Sequence, residues 1–302
     1  YLHIMTDLTT VHQLPYVDIA SVFDVKQIET YRYRGIKPLQ KQSSQHRGVF
    51  GGNFVAQSLL VAIRSAPHGF QPHTIHSYFV RAGDDKTPIE WEVDEITNGR
   101  TFANRAIRGF QNGKVVFTAN VSLTSKNSVK DIVKKTGTMP VIFQKEVDTE
   151  YQDLKNNISK CPLFVENSNA HFTVRTFPIN LSSDIYAFLL KFGAESKETV
   201  VGLTTEYQYV ALATISDFVR LEEVFKIMGV EVDVSFNVSL DHSIYFHDND
   251  LDATKWSTYL VEVTRWSHDR VMIVGKIYND KGIHVASISQ ERLFVIKNKP
   301  KF

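Results

Sequence analysis

Gly51-Gly52-Asn53-Phe54-Val55-Ala56-Gln57-Ser58-Leu59-Leu60-Val61-Ala62-Ile63-Arg64-Ser65-Ala66 carries apolar residues nearly all the way round a 3.6-residue turn. A helix without a broad polar face belongs inside a core, not on a surface. The helix is predicted from about Gly52 to Ala66, opened by Gly51-Gly52 and stopped by Pro67. Downstream the period changes to two. Ile89-Glu90-Trp91-Glu92-Val93-Asp94 alternates apolar and charged residues, as a strand with one buried face does. Gly99-Arg100 reads as the end of that strand. Val115, Phe117, Ala119, Val121 and Leu123 continue the alternation after Gln111-Asn112-Gly113-Lys114. Asn-Gly between alternating runs signals a hairpin, because both residues tolerate positive φ.

The same order of elements returns. A second helix, predicted from about Glu206 to Leu221, is apolar through Val210, Ala211, Leu212, Ala213, Ile215 and Phe218. Strands follow at Tyr259, Val261 and Val263, and at Val271, Ile273, Gly275 and Ile277. Ile75-His76-Ser77-Tyr78-Phe79 recurs loosely as His242-Ser243-Ile244-Tyr245-Phe246, an offset of 166 from His76 to His242, and the turn at Gly113 recurs at Gly282, an offset of 169. One buried helix followed by an antiparallel meander, twice over, is an α+β chain built by duplication. The stretch from Ser125 to about Ser168 is polar and aperiodic, and reads as a linker and surface excursion.

Composition narrows the function. The chain has 302 residues, 43% hydrophobic and 22% charged, which suits a folded globular protein. A net charge of +1 gives no electrostatic reason for a nucleic-acid partner. The single cysteine, Cys161, excludes an intrachain disulfide framework. The apolar run Gly48–Ile63 is shorter than the roughly 20 residues of a membrane span and is broken by Asn53, Gln57 and Ser58. His46 with His68, and His242 with His247, lack the spacing of a zinc site, and no phosphate-binding glycine loop occurs, so neither metal nor cofactor is expected. The chain begins at Tyr1, so the natural N-terminus is expected upstream.

Specific words then carry a resemblance. Arg47-Gly48-Val49-Phe50-Gly51-Gly52-Asn53, His76-Ser77-Tyr78-Phe79-Val80-Arg81-Ala82-Gly83-Asp84, Ser239-Leu240-Asp241-His242-Ser243-Ile244-Tyr245-Phe246-His247 and Ala286-Ser287-Ile288-Ser289-Gln290-Glu291 stand in the order of the acyl-CoA thioesterase II family. The resemblance runs over about residues 20–296 and looks most like the peroxisomal fungal members. It implies a double hotdog: two antiparallel sheets, each wrapped around a central helix. The implied division is an N-terminal hotdog domain at 1–124, a linker at 125–169 and a C-terminal hotdog domain at 170–302. Two departures stand out. Arg292 follows Gln290-Glu291 where the family usually has Gly, and Ser239 stands where some relatives have Thr.

The resemblance also implies hydrolysis of acyl-CoA to a free fatty acid and coenzyme A, with a catalytic set at Asp217, Ser239 and Gln290. The residues themselves leave alternatives open. Asp217 falls on the predicted stripe of the second helix, as a candidate general base or as a solvated carboxylate late in a helix. Ser239 shares the polar side of its strand with Asn237 and Asp241, where an ordinary exposed serine also belongs; no G-x-S-x-G elbow surrounds it. Gln290 shares parity with Ala286 and Ile288, an apolar face on which glutamine is unexpected. His76 and His242 are rival bases, and their repetition favours a structural role. Gly51, Gly52 and His76 are candidate substrate contacts, the glycines because a helix N-terminus offers free N–H groups. Lys37, Lys41, Arg47, Arg100, Arg105 and Arg108 could meet coenzyme A phosphates, and for any one of them a solvated face is the first reading.

Two other functions fit the same fold: an enoyl- or hydroxyacyl-CoA hydratase, and a non-catalytic acyl-CoA binding protein. The expected partner is an acyl-CoA, with a homo-oligomer formed through sheet edges. The ending Lys299-Pro300-Lys301-Phe302 keeps the basic middle and apolar end of a Ser-Lys-Leu peroxisomal address. With the family resemblance it gives peroxisome as the expected location, and the cytosol as the alternative.

Overall fold

A computed structural model describes residues 17–42, 44, 46–144, 163–166, 172–176, 185–193, 200–201 and 203–297. Cys161 and the Lys299–Phe302 ending lie outside the described residues. The first half contains β1 (Val17–Asp18), α1 (Ile19–Phe23), β2 (Val25–Glu29), β3 (Arg32–Gly35), α2 (Gly51–Ser65), β4 (Gln71–Phe79), β5 (Glu90–Asn98), β6 (Phe102–Gln111) and β7 (Lys114–Thr124). Next come α3 (Val129–Thr136), β8 (Leu163–Glu166), β9 (Phe172–Thr176), β10 (Ile185–Phe192) and β11 (Val200–Val201). The second helix region is α4 (Thr205–Ser216) and α5 (Leu221–Ile227). It leads into β12 (Val234–Ser239), β13 (Asp241–Phe246), β14 (Ser257–Ser267), β15 (Arg270–Tyr278) and β16 (His284–Ile296). The segment expected as a linker thus carries α3 and β8.

Both apolar helices are buried. Every residue of α2 from Gly52 to Ala62 is inside, its polar ones included. Burial without partners would cost each polar group on the order of 1–3 kcal/mol, so the partners matter. Gln57 Nε2 donates to the Phe23 carbonyl at 3.1 Å, Gln57 Oε1 accepts from Trp91 Nε1 at 3.0 Å, and Ser58 Oγ donates to the Val55 carbonyl at 2.9 Å. α4 is shorter than the sequence predicts. It ends at Ser216, Asp217 is its C-cap in αR conformation, and the chain re-enters a helix at Leu221. Side chains from neighbouring strands take the carbonyls of Ser216 and Val219 at this break.

Among the described residues one fourteen-stranded sheet runs β2-β3-β5-β6-β7-β4-β13-β16-β15-β14-β10-β9-β8, with β12 paired to β16, and β1 and β11 form a small parallel pair. Neighbours in the large sheet are antiparallel, and β4 with β13 joins the halves, Ser77 opposite His242 and Ser243 opposite His76. α2 and α4 pack together beneath it. They are antiparallel: Gly52 at the start of α2 lies against Thr214 at the end of α4, while Arg64 at the end of α2 reaches Glu206 and the Tyr207 hydroxyl, each at 3.1 Å, at the start of α4. The result is the double hotdog that the resemblance implies. The hairpin at Asn112-Gly113 forms with φ of 50° and 70°, the positive values the Asn-Gly signal requires. No helix among the described residues is long and apolar enough to cross a membrane.

The word match at an offset of 166 does not hold in register. β4 turns Ile75 and Ser77 inward and His76 out; β13 turns His242, Ile244 and Phe246 inward. Side chains alternate along a strand, so equivalent faces need an odd offset, as the 169 between Gly113 and Gly282 provides. His76 and His242 are therefore not equivalent positions.

Gly275 lies under the Tyr259 ring, and a Cβ there would stand 2.3 Å from a ring carbon. Gly275→Ala should lower stability by about 1–3 kcal/mol through overpacking, read as a lower urea midpoint at unchanged m value. Lys276→Ala, on the exposed neighbouring position, should stay within about 0.5 kcal/mol.

Candidate active site

Three residues far apart in sequence meet behind the break after α4. Asp217 is 3% exposed. Ser239 ends β12, and the side of the strand that sequence left as ordinary polar surface turns toward α4 and α5. Ser239 Oγ donates to Asp217 Oδ1 at 3.1 Å, and Asn237 Nδ2 reaches Glu222 Oε1 at 3.5 Å. Gln290 lies on the inward face of β16 with Ala286 and Ile288 and is fully buried. Its Nε2 donates to Asp217 Oδ1 and, at 3.0 Å, to Ser239 Oγ. The hydroxyl hydrogen and both amide hydrogens are thus committed inside the triangle. Two acceptor atoms of the set take no hydrogen within the triangle. Gln290 Oε1 is buried with no partner in the protein, and Asp217 Oδ2 points to the N-terminus of α2.

The diglycine explains that approach. A Cβ on Gly51 would stand 2.5 Å from Asp217 Oδ2 and 2.9 Å from the Phe79 ring. A Cβ on Gly52 would stand 2.2 Å from the Thr214 carbonyl, so Gly52 permits the close crossing of the two helices. Asn53 N–H donates to the Phe50 carbonyl at 3.0 Å, and the N–H groups of Gly51 and Gly52, with no carbonyl one turn back, form the positive end of the helix dipole. The start of α2, from the first half, therefore lies directly against the Asp217 carboxylate of the triangle that the second half supplies.

The histidines divide differently. His76 is not brought to this cluster. It is exposed on the outer face of β4, its Nδ1 is 3.0 Å from Ser243 Oγ, and its ring meets Tyr245 edge-on. His242 is fully buried, with Nε2 2.9 Å from Ser216 Oγ and Nδ1 unpartnered. Burial pushes its pKa down to about 4; the Asp217 carboxylate opposes that shift and Arg292 adds to it. Tyr259 OH donates to the Ser216 carbonyl at 3.1 Å, and Arg292 Nη1 donates to the Val219 carbonyl. Sequence reasoning missed Tyr259, because a tyrosine at an inward strand position reads as core. It flagged Arg292 only as a departure.

The solvated-face reading does not hold for Arg105. Arg105 is buried, not displayed: its guanidinium donates to the carbonyls of Thr97, Asn104 and Ser65 and to Asn98 Oδ1. Lys41 is paired with Asp85, and Arg108 with Glu92 and Asp94, whereas Lys37, Arg47 and Arg100 are exposed. Among the described residues no three of His, Cys, Asp and Glu gather as metal ligands.

Comparison with known proteins agrees with this architecture. A family model described as "Acyl-CoA thioesterase N-terminal domain" matches residues 39–124, and one described as "Acyl-CoA thioesterase" matches residues 193–293. The chain is 27% identical to "Peroxisomal acyl-coenzyme A thioester hydrolase 1" of Saccharomyces cerevisiae, over 81% of this chain and 85% of that protein. It is 25% identical to "Acyl-coenzyme A thioesterase 8" of Rattus norvegicus, over 94% of this chain and 90% of that protein. Its fold matches the solved structure of an acyl-CoA thioesterase II from Mycobacterium marinum with a TM-score of 0.68 at 21% identity, covering 93% of this chain and 99% of the other. A double hotdog with matches of this kind in both halves is a thioester hydrolase. The chain belongs to the acyl-CoA thioesterase II family, whose substrates are acyl-CoA thioesters.

Two outcomes follow from this geometry. Gly51→Ala forces Asp217 Oδ2 or Phe79 aside; kcat should fall at least about tenfold while circular dichroism stays unchanged. Acid should weaken the fold through His242. The unfolded imidazole binds a proton near pH 6.5 and the native one only near 4, so stability should drop as pH falls from about 6.5 to 4, by roughly 3 kcal/mol. His242→Gln should flatten that slope in urea melts taken across this range. His284, also pushed down to about 4 by burial and by His247, keeps a remainder.

Proposed function

We propose that Asp217 is the general base of thioester hydrolysis, with Gln290 and Ser239 fixing it and the water it activates. The observation that carries this reading is the closed triangle Asp217–Ser239–Gln290 with two acceptors left unspent by it, Asp217 Oδ2 and Gln290 Oε1. A water between them donates one hydrogen to each, which aims its lone pair at a thioester carbonyl lying at the start of α2. Asp217 takes the proton as the oxygen–carbon bond forms. The N–H groups at Gly51 and Gly52 meet the developing oxyanion. The carbon–sulfur bond then breaks, and the proton on Asp217 passes to the leaving thiolate, giving a fatty acid and coenzyme A. Ser239 spends its only hydrogen on Asp217 Oδ1, which supports orientation of the carboxylate and not acylation of the serine.

We propose further that the division into hotdog units at 1–124 and 170–302, joined by 125–169, describes the duplication. Peroxisomal residence is supported by the similarity to a yeast relative named for that compartment. Homo-oligomer formation is supported by β2, a sheet edge that displays Ile28.

Thiol release from an acyl-CoA, followed with a thiol reagent, tests the site. Asp217→Asn keeps shape and removes the base, and kcat should fall by about 10²–10⁴. Gln290→Ala should lower kcat more than it raises KM, because it acts on the water and not on the acyl chain. Ser239→Ala should be milder than Asp217→Asn. Near-normal kcat in folded Asp217→Asn would remove the carboxylate from the chemistry.

A further inference from the structure

The connection after α4 carries the proposed base and is held on both sides of it by side chains from three strands. His242 on β13 meets the Ser216 side chain, Nε2 to Oγ at 2.9 Å. Tyr259 on β14 donates to the Ser216 carbonyl at 3.1 Å. Arg292 on β16 donates to the Val219 carbonyl. The residue before Asp217 is thus gripped by side chain and by backbone, and the residue two after it by backbone.

A helix end leaves carbonyls without intrahelical donors, and buried ones must find partners. Many helices solve this with a glycine in left-handed conformation just past the end. Here the cap is Asp217 itself, in αR conformation, and Phe218-Val219-Arg220 follow. The break is instead closed by donors mounted on the sheet. Those donors are themselves fixed. The Tyr259 ring is seated on Gly275, where a Cβ would fall 2.3 Å from it. Tyr259 and His242 are both fully buried.

The hydrogen-bond directions are set by counting. Ser216 Oγ donates its one hydrogen to the Ala213 carbonyl at 2.9 Å. His242 must therefore carry its hydrogen on Nε2 and donate to Ser216, leaving Nδ1 as the unpartnered acceptor. That assignment needs a neutral imidazole, as does burial beside the Arg292 charge. The frame that holds Asp217 also holds its partners: Gln290 lies two residues before Arg292 on β16, and Ser239 pairs with Arg292 across β12 and β16.

We infer that His242, Tyr259 and Arg292 are positioning residues for the hydrolysis, acting through the Ser216–Val219 connection to hold the Asp217 carboxylate against Gln290 and Ser239. The inference rests on the reading of Asp217 as base. It extends the site from three residues to a braced unit in which three strands fix the end of one helix. A shift of about 1 Å in a reacting group can cost about 100-fold in rate; Tyr259 and Arg292 bond the backbone on either side of Asp217, and His242 bonds the Ser216 side chain.

The test is steady-state thiol release from one acyl-CoA by Tyr259→Phe, His242→Leu, His242→Gln and Asp217→Asn, each checked by circular dichroism. Tyr259→Phe loses one oxygen atom and should lose about tenfold or more in kcat, with KM within about twofold. His242→Leu should lose a similar factor. His242→Gln, whose amide nitrogen reaches Ser216 Oγ from the place of Nε2, should recover most of it. In the Asp217→Asn background, Tyr259→Phe should lower the residual rate no further. A purely structural role would lower the melting temperature of the histidine variants without separating Leu from Gln in kcat. Wild-type kcat in folded Tyr259→Phe, beside a collapsed kcat in Asp217→Asn, would overturn the brace and leave the base assignment standing. Wild-type kcat in Asp217→Asn itself would remove the base, and the brace with it. Tyr259→Phe decides the question alone if His242→Leu does not fold.

Discussion

At Gly52 the backbone of α2 comes so close to the Thr214 carbonyl of α4 that no side chain fits between them. This crossing of two buried antiparallel helices sets everything nearby. It places the N-terminus of the first-half helix against the C-terminus of the second-half helix, which puts the positive end of one dipole beside the carboxylate that caps the other. At the far end of the pair, Arg64 ties α2 to Glu206 and Tyr207, so the crossing is fixed at both ends. The β4–β13 ladder then seals the halves into one sheet over the helices. The site is a consequence of that seam and belongs to neither half by itself.

Most polar groups around the seam are paired, and among the described residues Asn53 Oδ1, His242 Nδ1, Gln290 Oε1 and Arg292 Nε are not. Leaving a buried donor or acceptor unpaired is costly, and a pairing also aims the group that makes it. Gln57 is bonded at both ends of its amide and is structural. Gln290 is bonded through its nitrogen only, and its buried oxygen is left without a partner in the protein. The two glutamines are equally buried and differ in their unspent hydrogen-bonding capacity. The same accounting separates His242, whose Nε2 serves Ser216, from His76, which lies on the outer face with Ser243 and Tyr245.

Much of the fold was legible from local chemistry. The two all-apolar helices, the alternating strands and the Asn112-Gly113 turn each follow from short-range periodicity or from backbone conformations that few residues tolerate. The readings that failed share a physical cause. Strand phase decides which face a side chain takes, and a loose word match slips by one residue without changing its letters; that slip made His76 and His242 look equivalent. The end of α4 is set by strand side chains that cap its carbonyls, so periodicity carried the predicted helix past Asp217 to Leu221. Arg105 looked like a displayed cation because sequence does not reveal that four acceptors from the β5–β6 region and the end of α2 surround it.

The sequence by itself determined the kinds of element, their duplicated order, and the presence of Gly51-Gly52, Asp217, Ser239 and Gln290 in words that resemble a thioesterase family. Those depend on neighbours a few residues away, or on side-chain identity alone. Only the tertiary structure decided that Ser239 faces inward, that Asp217 is a helix cap and not a member of a helical stripe, and that the diglycine of one half confronts the carboxylate of the other. It also decided that Tyr259 and Arg292 hold the connection on which Asp217 sits. Each of these is a contact between segments many residues apart, set by how two helices cross and how strands register, and neither periodicity nor composition encodes the relative placement of separate elements.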